Sequence, residues 1–324
     1  MNERLVDFES ANRQISRLRE RMQSIVVGQP AVVEHVLCAL LANGHALVEG
    51  VPGLGKTLLV RALAACFGGE FKRIQFTPDL MPADISGHVY WEASESRFRI
   101  RPGPVFAHLL LADEINRAPA KTQAALLEVM QERQVTLDGQ RHPVPNPFMV
   151  LATQNPIEHE GTYPLPEAEL DRFLIKIQID YPTLEDELAL TRDLTASRSE
   201  DLQGLPSDLE FLTPGDAVAL QRLCASLLID DQVVAHAVRL VRATREHPAF
   251  KRGAGTRACL ALVRVAKAHA LLRGSDFVLP DDVRSMALPV LRHRVALTAE
   301  LEVDGVGIDV ALEEVIAGVE APRR

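Results

Sequence analysis

The stretch His45-Ala46-Leu47-Val48-Glu49-Gly50-Val51-Pro52-Gly53-Leu54-Gly55-Lys56-Thr57-Leu58-Leu59-Val60-Arg61-Ala62-Leu63-Ala64-Ala65 decides the fold. It opens with an apolar run of strand length, passes through three glycines and continues in helix-forming residues that stop at Gly68-Gly69. Residues Gly50 to Thr57 fit the pattern G-x-x-x-x-G-K-[ST]. The glycines let successive backbone N–H groups converge on phosphate oxygens, where a Cβ would block the approach. The first turn of the following helix adds unpaired N–H groups and the positive end of its dipole. Lys56 is then placed to reach the β- and γ-phosphates of a nucleoside triphosphate, and the Thr57 hydroxyl to ligate Mg²⁺. The expected nucleotide contacts are therefore Gly50, Val51, Pro52, Gly53, Leu54, Gly55, Lys56, Thr57 and Leu58.

Further short apolar runs follow at Phe71–Phe76, Leu109–Ala112, Phe148–Ala152 and Ile175–Ile179, separated by helical stretches. Runs of this length between helices predict a mostly parallel sheet buried on both faces. Val89–Trp91 and Phe98–Ile100 flank a polar tip and predict a hairpin; residues 134–147, with Asp138-Gly139 as the turn, predict a second. Beyond about residue 183 helical periodicity takes over at 216–228, 231–246, 256–273 and 280–291, with Pro214, Pro248 and Pro280 as punctuation. Residues 1 to about 27 read as a charged amphipathic helix. The expectation is an α/β domain over 1–182 followed by a smaller helical domain over 183–324. The seam falls around 181–210, and each domain is large enough to bury its own core.

Composition narrows the class. Over 324 residues, 35 basic against 44 acidic side chains leave a net charge of −9, with 47% hydrophobic and 24% charged residues. That excludes a disordered chain. It also removes any global attraction to nucleic acid or an anionic membrane, although a local basic groove is still allowed. No apolar run is long enough to span a bilayer, and the charged start does not resemble a signal peptide, so a cytoplasmic protein is expected. Cys38, Cys66, Cys224 and Cys259 are scattered, which reads as reduced and mostly buried thiols, and the ten histidines offer no metal spacing. Only six of the basic residues are lysines, so a lysine at a motif position is informative.

Hydrolysis needs a metal-binding carboxylate and a group that orients water. Leu109–Ala112 ends in Asp113-Glu114, with Asp113 expected in the Mg²⁺ shell and Glu114 expected to polarise the attacking water. The next buried strand ends in Thr153-Gln154-Asn155, where Asn155 is placed to hydrogen-bond the γ-phosphate or the lytic water. A helix-cap role for the acids and a turn role for Asn155 are the plainer alternatives.

At this point the chain resembles the MoxR-type AAA+ ATPases. The matching stretches are Gly50–Thr57, Phe76–Gly87, Arg101–Phe106, Leu109–Arg117, Ala152–Glu158 and Glu160–Phe173. The resemblance implies a five-stranded parallel sheet of strand order 5-1-4-3-2 with a helical lid, and ATP bound at the interfaces of a ring that is usually a hexamer. It assigns Lys56 and Thr57 to Walker A, Asp113 and Glu114 to Walker B, Asn155 to sensor 1, Arg172 to the arginine finger and Arg257 to sensor 2 of the lid. Gly28 and Gln29 match the stretch that borders the adenine, residues 77–104 the helix-2 insert, and 134–147 the hairpin before sensor 1. Arg117 and Arg133 are rival finger candidates, and a helix-surface ion pair with Glu169 or Asp171 is the rival reading of Arg172. Family members commonly act with von Willebrand factor A domain proteins, in chaperone-like maturation or metal-cofactor insertion. A nucleic-acid-stimulated motor or loader is the alternative function, set back by the net negative charge. A small-molecule kinase and a nucleotide-binding scaffold without turnover are further rivals.

Overall fold

The computed structural model describes residues 7–51, 53–155, 161–196 and 212–322. Pro52, residues 156–160 of two matching stretches and residues 197–210 of the expected seam lie outside the described residues. Five parallel strands form the central sheet: β1 (Ala46–Glu49), β2 (Phe71–Gln75), β3 (Leu109–Asp113), β4 (Met149–Gln154) and β5 (Ile175–Gln178), in the order β2-β3-β4-β1-β5. This is the expected 5-1-4-3-2 arrangement. The central strands β3 and β4 are buried nearly throughout, as their unbroken apolar runs require; β2, at an edge, carries the polar Lys72 and Arg73.

Helices α1 (Phe8–Ile25), α2 (Pro30–Leu41) and α3 (Lys56–Cys66) cover one face. The insert after β2 folds as the short α4 (Pro82–Ser86) and a hairpin pairing Gly87–Glu92 with Arg97–Pro102. Helix α5 (Ala120–Glu132) packs its Leu126, Leu127 and Met130 on the other face and leads into the second hairpin, Gln134–Leu137 with Gln140–Pro143. The one-turn α6 (Glu167–Leu170) precedes β5, and α7 (Leu184–Ala196) follows it. The remaining helices are α8 (Pro214–Ser226), α9 (Asp231–Glu246), α10 (Thr256–Leu272), α11 (Pro280–Leu291), α12 (Ala299–Val303) and α13 (Ile308–Gly318). Their starts are written in the sequence. Pro214 and Pro280 occupy the first turns of α8 and α11, Thr213 and Asp216 form a capping box, and Asp230 caps α9 through the Gln232 amide. No helix among the described residues is long and apolar enough to cross a membrane.

The cores differ from expectation. Among the described residues, the helical segment does not bury an apolar cluster of its own. Leu220, Leu240, Leu262, Val290 and Leu312 belong to one continuous core with α1, α2, α3 and the sheet side chains Val48, Leu111, Leu151 and Ile177. Leu47, Leu110, Ala112, Val150 and Ala152 point the opposite way, into the separate core under α5 and the hairpins. The period-2 alternation of side chains along each strand divides the two. The lid is thus joined to the sheet through a packed face, which includes a buried hydrogen bond of 2.8 Å from Gln221 Nε2 to the Leu40 carbonyl.

The orientation of α10, which carries Arg257, Arg264 and Lys267, is held from its C-terminal end. Asp282 is 1% exposed and accepts from His269 Nδ1 at 2.8 Å, from Arg273 at 3.0 and 3.2 Å, and from the Leu279 amide at 2.7 Å. Burial by itself would raise the Asp282 pKa, but the bonds from His269, Arg273 and the Leu279 amide hold it below the ordinary carboxylate value. The ionised form therefore stabilises the fold above the unfolded pKa, and that contribution is lost as pH falls through the lower folded pKa. Asp282→Asn is expected to lower stability by about 1–3 kcal/mol at pH 7. The deficit should begin to shrink below about pH 4, the ordinary carboxylate value, and close as pH falls through the lower folded pKa, where the native wild-type carboxyl also protonates. Chemical denaturation of both proteins across pH measures it, and a pH-independent difference would contradict the ionic role.

Candidate nucleotide site

Because the sheet is parallel, the C-terminal ends of β1, β3 and β4 lie side by side, and the residues expected to contact phosphate and metal collect there. Gly53 (φ +87°) and Gly55 (φ +78°) adopt the left-handed conformation that other residues avoid, which turns the chain from β1 into α3. Gly50 is constrained differently: a Cβ there would stand 2.7 Å from the Ile179 carbonyl oxygen, beyond the end of β5. Lys56, the first residue of α3, reaches back across the loop, and its ammonium donates to the carbonyls of Gly50 at 2.6 Å and Gln154 at 3.3 Å. That lysine ties the glycine-rich loop to the end of β4. Thr57 and Leu58 follow in the same first turn, half-buried.

Thr153, fully buried on β4, organises the two acids. Its hydroxyl donates to Asp113 Oδ1 at 2.5 Å and accepts from the Glu114 amide at 2.9 Å. Glu114 has φ +55°, a left-handed position rare for a non-glycine residue, and its carboxylate lies 2.8 Å from Arg117 Nε. The second oxygen of Asp113 receives Arg73 Nη2 from β2 at 2.7 Å. A cation already rests on the carboxylate expected to help hold Mg²⁺, so this oxygen draws positive charge, and the Thr57 hydroxyl with Asp113 supplies the hard oxygen donors that Mg²⁺ prefers. Asn155 is buried directly beyond β4, and its carbonyl accepts from Asn116 Nδ2 at 3.5 Å.

Gly28 and Gln29, expected to border the adenine, fall on the same flank. Gly28 (φ +75°) packs so tightly against Asp186 that a Cβ would approach its side chain to 2.9 Å, and Gln29 Nε2 donates to the Asp180 carbonyl at 2.8 Å. Asp180 and Tyr181, with Val51, Leu54 and Gly50, line a pocket of about 160 Å³ beside the loop. Tyr181 is 71% exposed there.

Arg172 and Arg257 are elsewhere. Both line a basin of about 410 Å³ at the N-terminal ends of β1 and β5, together with His45, Leu174, Arg133, Arg264 and Arg294. The length of β1 separates that basin from the phosphate loop of the same chain, on the order of 15 Å at strand spacing. Arg172 makes the expected alternative ion pair, Nε to Glu169 at 2.9 Å, and its Nη1 donates to Gln131 Oε1 at 2.8 Å and the Leu127 carbonyl at 3.0 Å. Asp171 is taken by Arg294 at 2.7 Å, with Arg257, 66% exposed at the side chain, 3.8 Å away. The rival candidates have other tasks. Arg117 sits on Glu114 of its own chain, and Arg133 donates to the carbonyls of Phe148 and Asn43 that lead into β4 and β1.

Sequence reading missed Thr153 as an organiser, Arg73, Tyr181, and the contact of Gln154 Nε2 with Glu49 Oε1 at 2.5 Å. Glu49 also pairs with Lys176 on β5 at 2.7 Å. The available signals were a hydroxyl at the end of an otherwise apolar strand and polar residues at three neighbouring strand ends.

Comparison with known proteins agrees with this geometry. The family model of the ATPase family associated with various cellular activities (AAA) matches residues 45–175, and that of the AAA lid domain matches 242–315. Chaperone MoxR1 of Mycobacterium tuberculosis is 44% identical over 93% of this chain and 81% of its own length. The MoxR protein of Methylorubrum extorquens is 33% identical over 90% of each. The chain belongs to the MoxR family of AAA+ ATPases. The Bacillus subtilis protein YeaC is 43% identical over 94% of this chain and 93% of its own. The crystal structure of a candidate ATPase from Cytophaga hutchinsonii superposes with a TM-score of 0.88 at 38% identity, covering 98% of this chain and 97% of that one. In this MoxR chain the AAA match spans the strands that carry the loop, the acids and Asn155, and the lid match contains Arg257 and the helices around it.

The Thr153 contact predicts a measurable split. Thr153→Val, close in shape but without a hydroxyl, leaves the buried Glu114 amide unpaired, and should lower stability by about 1–3 kcal/mol. It should also depress any ATP turnover, whereas Thr153→Ser should restore both. Thermal melts and phosphate release on the three proteins test this.

Proposed function

We propose that this MoxR-family chain binds ATP with Mg²⁺ and hydrolyses it within a ring of identical subunits, most simply a hexamer, to remodel protein partners. The observation that carries the reading is the division of the chemistry between two ends of one sheet. Lys56, Asp113, Glu114 and Asn155 stand at the C-terminal end, and Arg172 and Arg257 at the N-terminal end. A single chain cannot bring both sets to one phosphate. A neighbouring copy presenting its basin to this chain's loop completes the set.

In that arrangement the amides of residues 50–57 and Lys56 hold the triphosphate, the ammonium exchanging its carbonyl partners for phosphate oxygens. Thr57 and Asp113 would hold Mg²⁺, which when bound would supply positive charge against the triphosphate. Arg73 would give up its contact with the Asp113 oxygen. Glu114, fixed by its main-chain bond to Thr153 and released from Arg117, polarises the attacking water, and Asn155 orients it or the γ-phosphate. Arg172 and Arg257 of the adjoining copy place guanidinium donors on charge that develops in the transition state. Gly28 and Gln29, with Tyr181 beside them, border the base. The chaperone name of the Mycobacterium tuberculosis relative supports protein remodelling as the output. The insert hairpin offers a contact for it, with Trp91 53% and Phe98 68% exposed. A partner bearing a von Willebrand factor A domain is part of this proposal.

Two outcomes are expected. Glu114→Gln should bind ATP with near-wild-type affinity and hydrolyse it at least a hundredfold more slowly, read by equilibrium binding and phosphate release; undiminished turnover removes Glu114 from its role. Arg172→Ala and Lys56→Ala should each be inactive alone. When mixed they should regain part of the turnover, because mixed rings contain interfaces with an intact loop facing an intact arginine. Absence of rescue, with both variants assembling normally, overturns the trans assignment of Arg172.

A further inference from the structure

We propose that the cleft between α2, α8 and α10 is a second ligand site, for a phosphorylated metabolite of about nucleoside-monophosphate size. The cleft holds about 490 Å³, within the range of small-molecule sites, and lies where the lid packs on the core, away from the phosphate loop. Its polar wall is Asn43, Asn146, Gln221, Arg222, Arg264 and Lys267, with no carboxylate among the described lining residues. In a chain of net charge −9 with six lysines, three cations around a cleft with no acid among its described lining residues is a local reversal of charge.

Part of that charge has a structural task. Arg264 Nη2 donates to the Asn43 carbonyl at 3.1 Å and also to that of Ala42, and Lys267 Nζ donates to the Ala225 carbonyl at 2.7 Å, so they neutralise the C-terminal ends of α2 and α8. Neither cation exhausts its donors on those carbonyls: the guanidinium retains Nε and Nη1, and the ammonium two of its three hydrogens. Asn43, held at φ +52° where α2 ends, has a buried Oδ1 without a hydrogen-bond partner among the described residues. Val218 and Val263 give the cleft an apolar side for a planar body, and the amides of Asn146 and Gln221 add readable polar edges. Cys224 in the wall is not a nucleophile, since burial pushes its thiol pKa up to about 12. Recognition is therefore noncovalent: phosphate on the cations, body on the valines. Asn43 and Arg264 also line the arginine basin, so an occupant would touch the region that holds Arg172 and Arg257.

Adenosine 5′-monophosphate is a suitable probe because it lacks the β-phosphate that the loop lysine addresses. Calorimetric titration into the full-length protein should show one site whose affinity is unchanged in Lys56→Ala and falls at least tenfold in Lys267→Glu and in the exposed-site variant Arg222→Glu. Both cleft variants are checked for wild-type melting. Inorganic phosphate should bind at least tenfold more weakly, because it has no body to place on Val218 and Val263. The proposal is overturned if the nucleotide does not bind, if its binding disappears in Lys56→Ala but survives Lys267→Glu and Arg222→Glu, or if phosphate alone binds equally well.

Discussion

The parallel register of β1, β3 and β4 is the constraint on which the rest depends. It sets Glu49 beside Gln154 and Ala112 beside Ala152, so a phosphate loop, two acids and a polar strand end arrive at one edge from segments 105 residues apart in the chain. Thr153 then links them, since one buried hydroxyl satisfies both the Asp113 carboxylate and the Glu114 amide. A hydrogen bond of this kind contributes only about 1 kcal/mol net, yet its loss strands a buried donor, so its effect on geometry exceeds its effect on stability.

The same edge is wired to the lid. Gln154 contacts Glu49, Glu49 pairs with Lys176, and the Lys176 carbonyl accepts from Arg292 at 3.4 Å, which in turn meets Asp309 of α13 at 3.0 Å. Burial pulls the Arg292 pKa down, with Asp309 the largest opposing influence, and burial pushes the Asp309 carboxyl up. Partly buried charges of this kind hold position because leaving one unpaired is costly. Combined with the single apolar core that runs from the sheet into α8–α13, they make the lid an extension of the sheet face.

His45 illustrates how the opposite edge is built. Its Nδ1 accepts from the Val150 amide at 3.0 Å, so Nε2 carries the proton and donates to the Met130 carbonyl at 3.1 Å. Burial, with Arg133 adding repulsion, lowers its pKa to about 3, and the ring stays neutral across the physiological range. Around this neutral pin five arginines line the basin, with Asp171 and the Arg172 partner Glu169 as the acids that meet them.

Local chemistry was legible wherever consecutive residues do the work. The strand–loop–helix around Gly50–Thr57, the acids Asp113 and Glu114, the hairpins and the capped helix starts could be read because glycine freedom, apolar period and capping side chains act over a few residues. The helical texture after residue 183 was equally legible, but the expectation of a separate lid core was not met, because hydrophobic period marks a buried face without naming what covers it. Thr153, Arg73, the Glu49–Lys176 pair and the placement of Arg172 and Arg257 came only from the tertiary structure. Each depends on which strand ends lie together, and that is set by sheet order and packing between residues remote in the chain. What the sequence determined by itself was the loop, the elements and their order; what tertiary structure alone decided was which polar side chains meet, since hydrogen bonds and ion pairs act over a few ångströms of space whatever their separation along the chain.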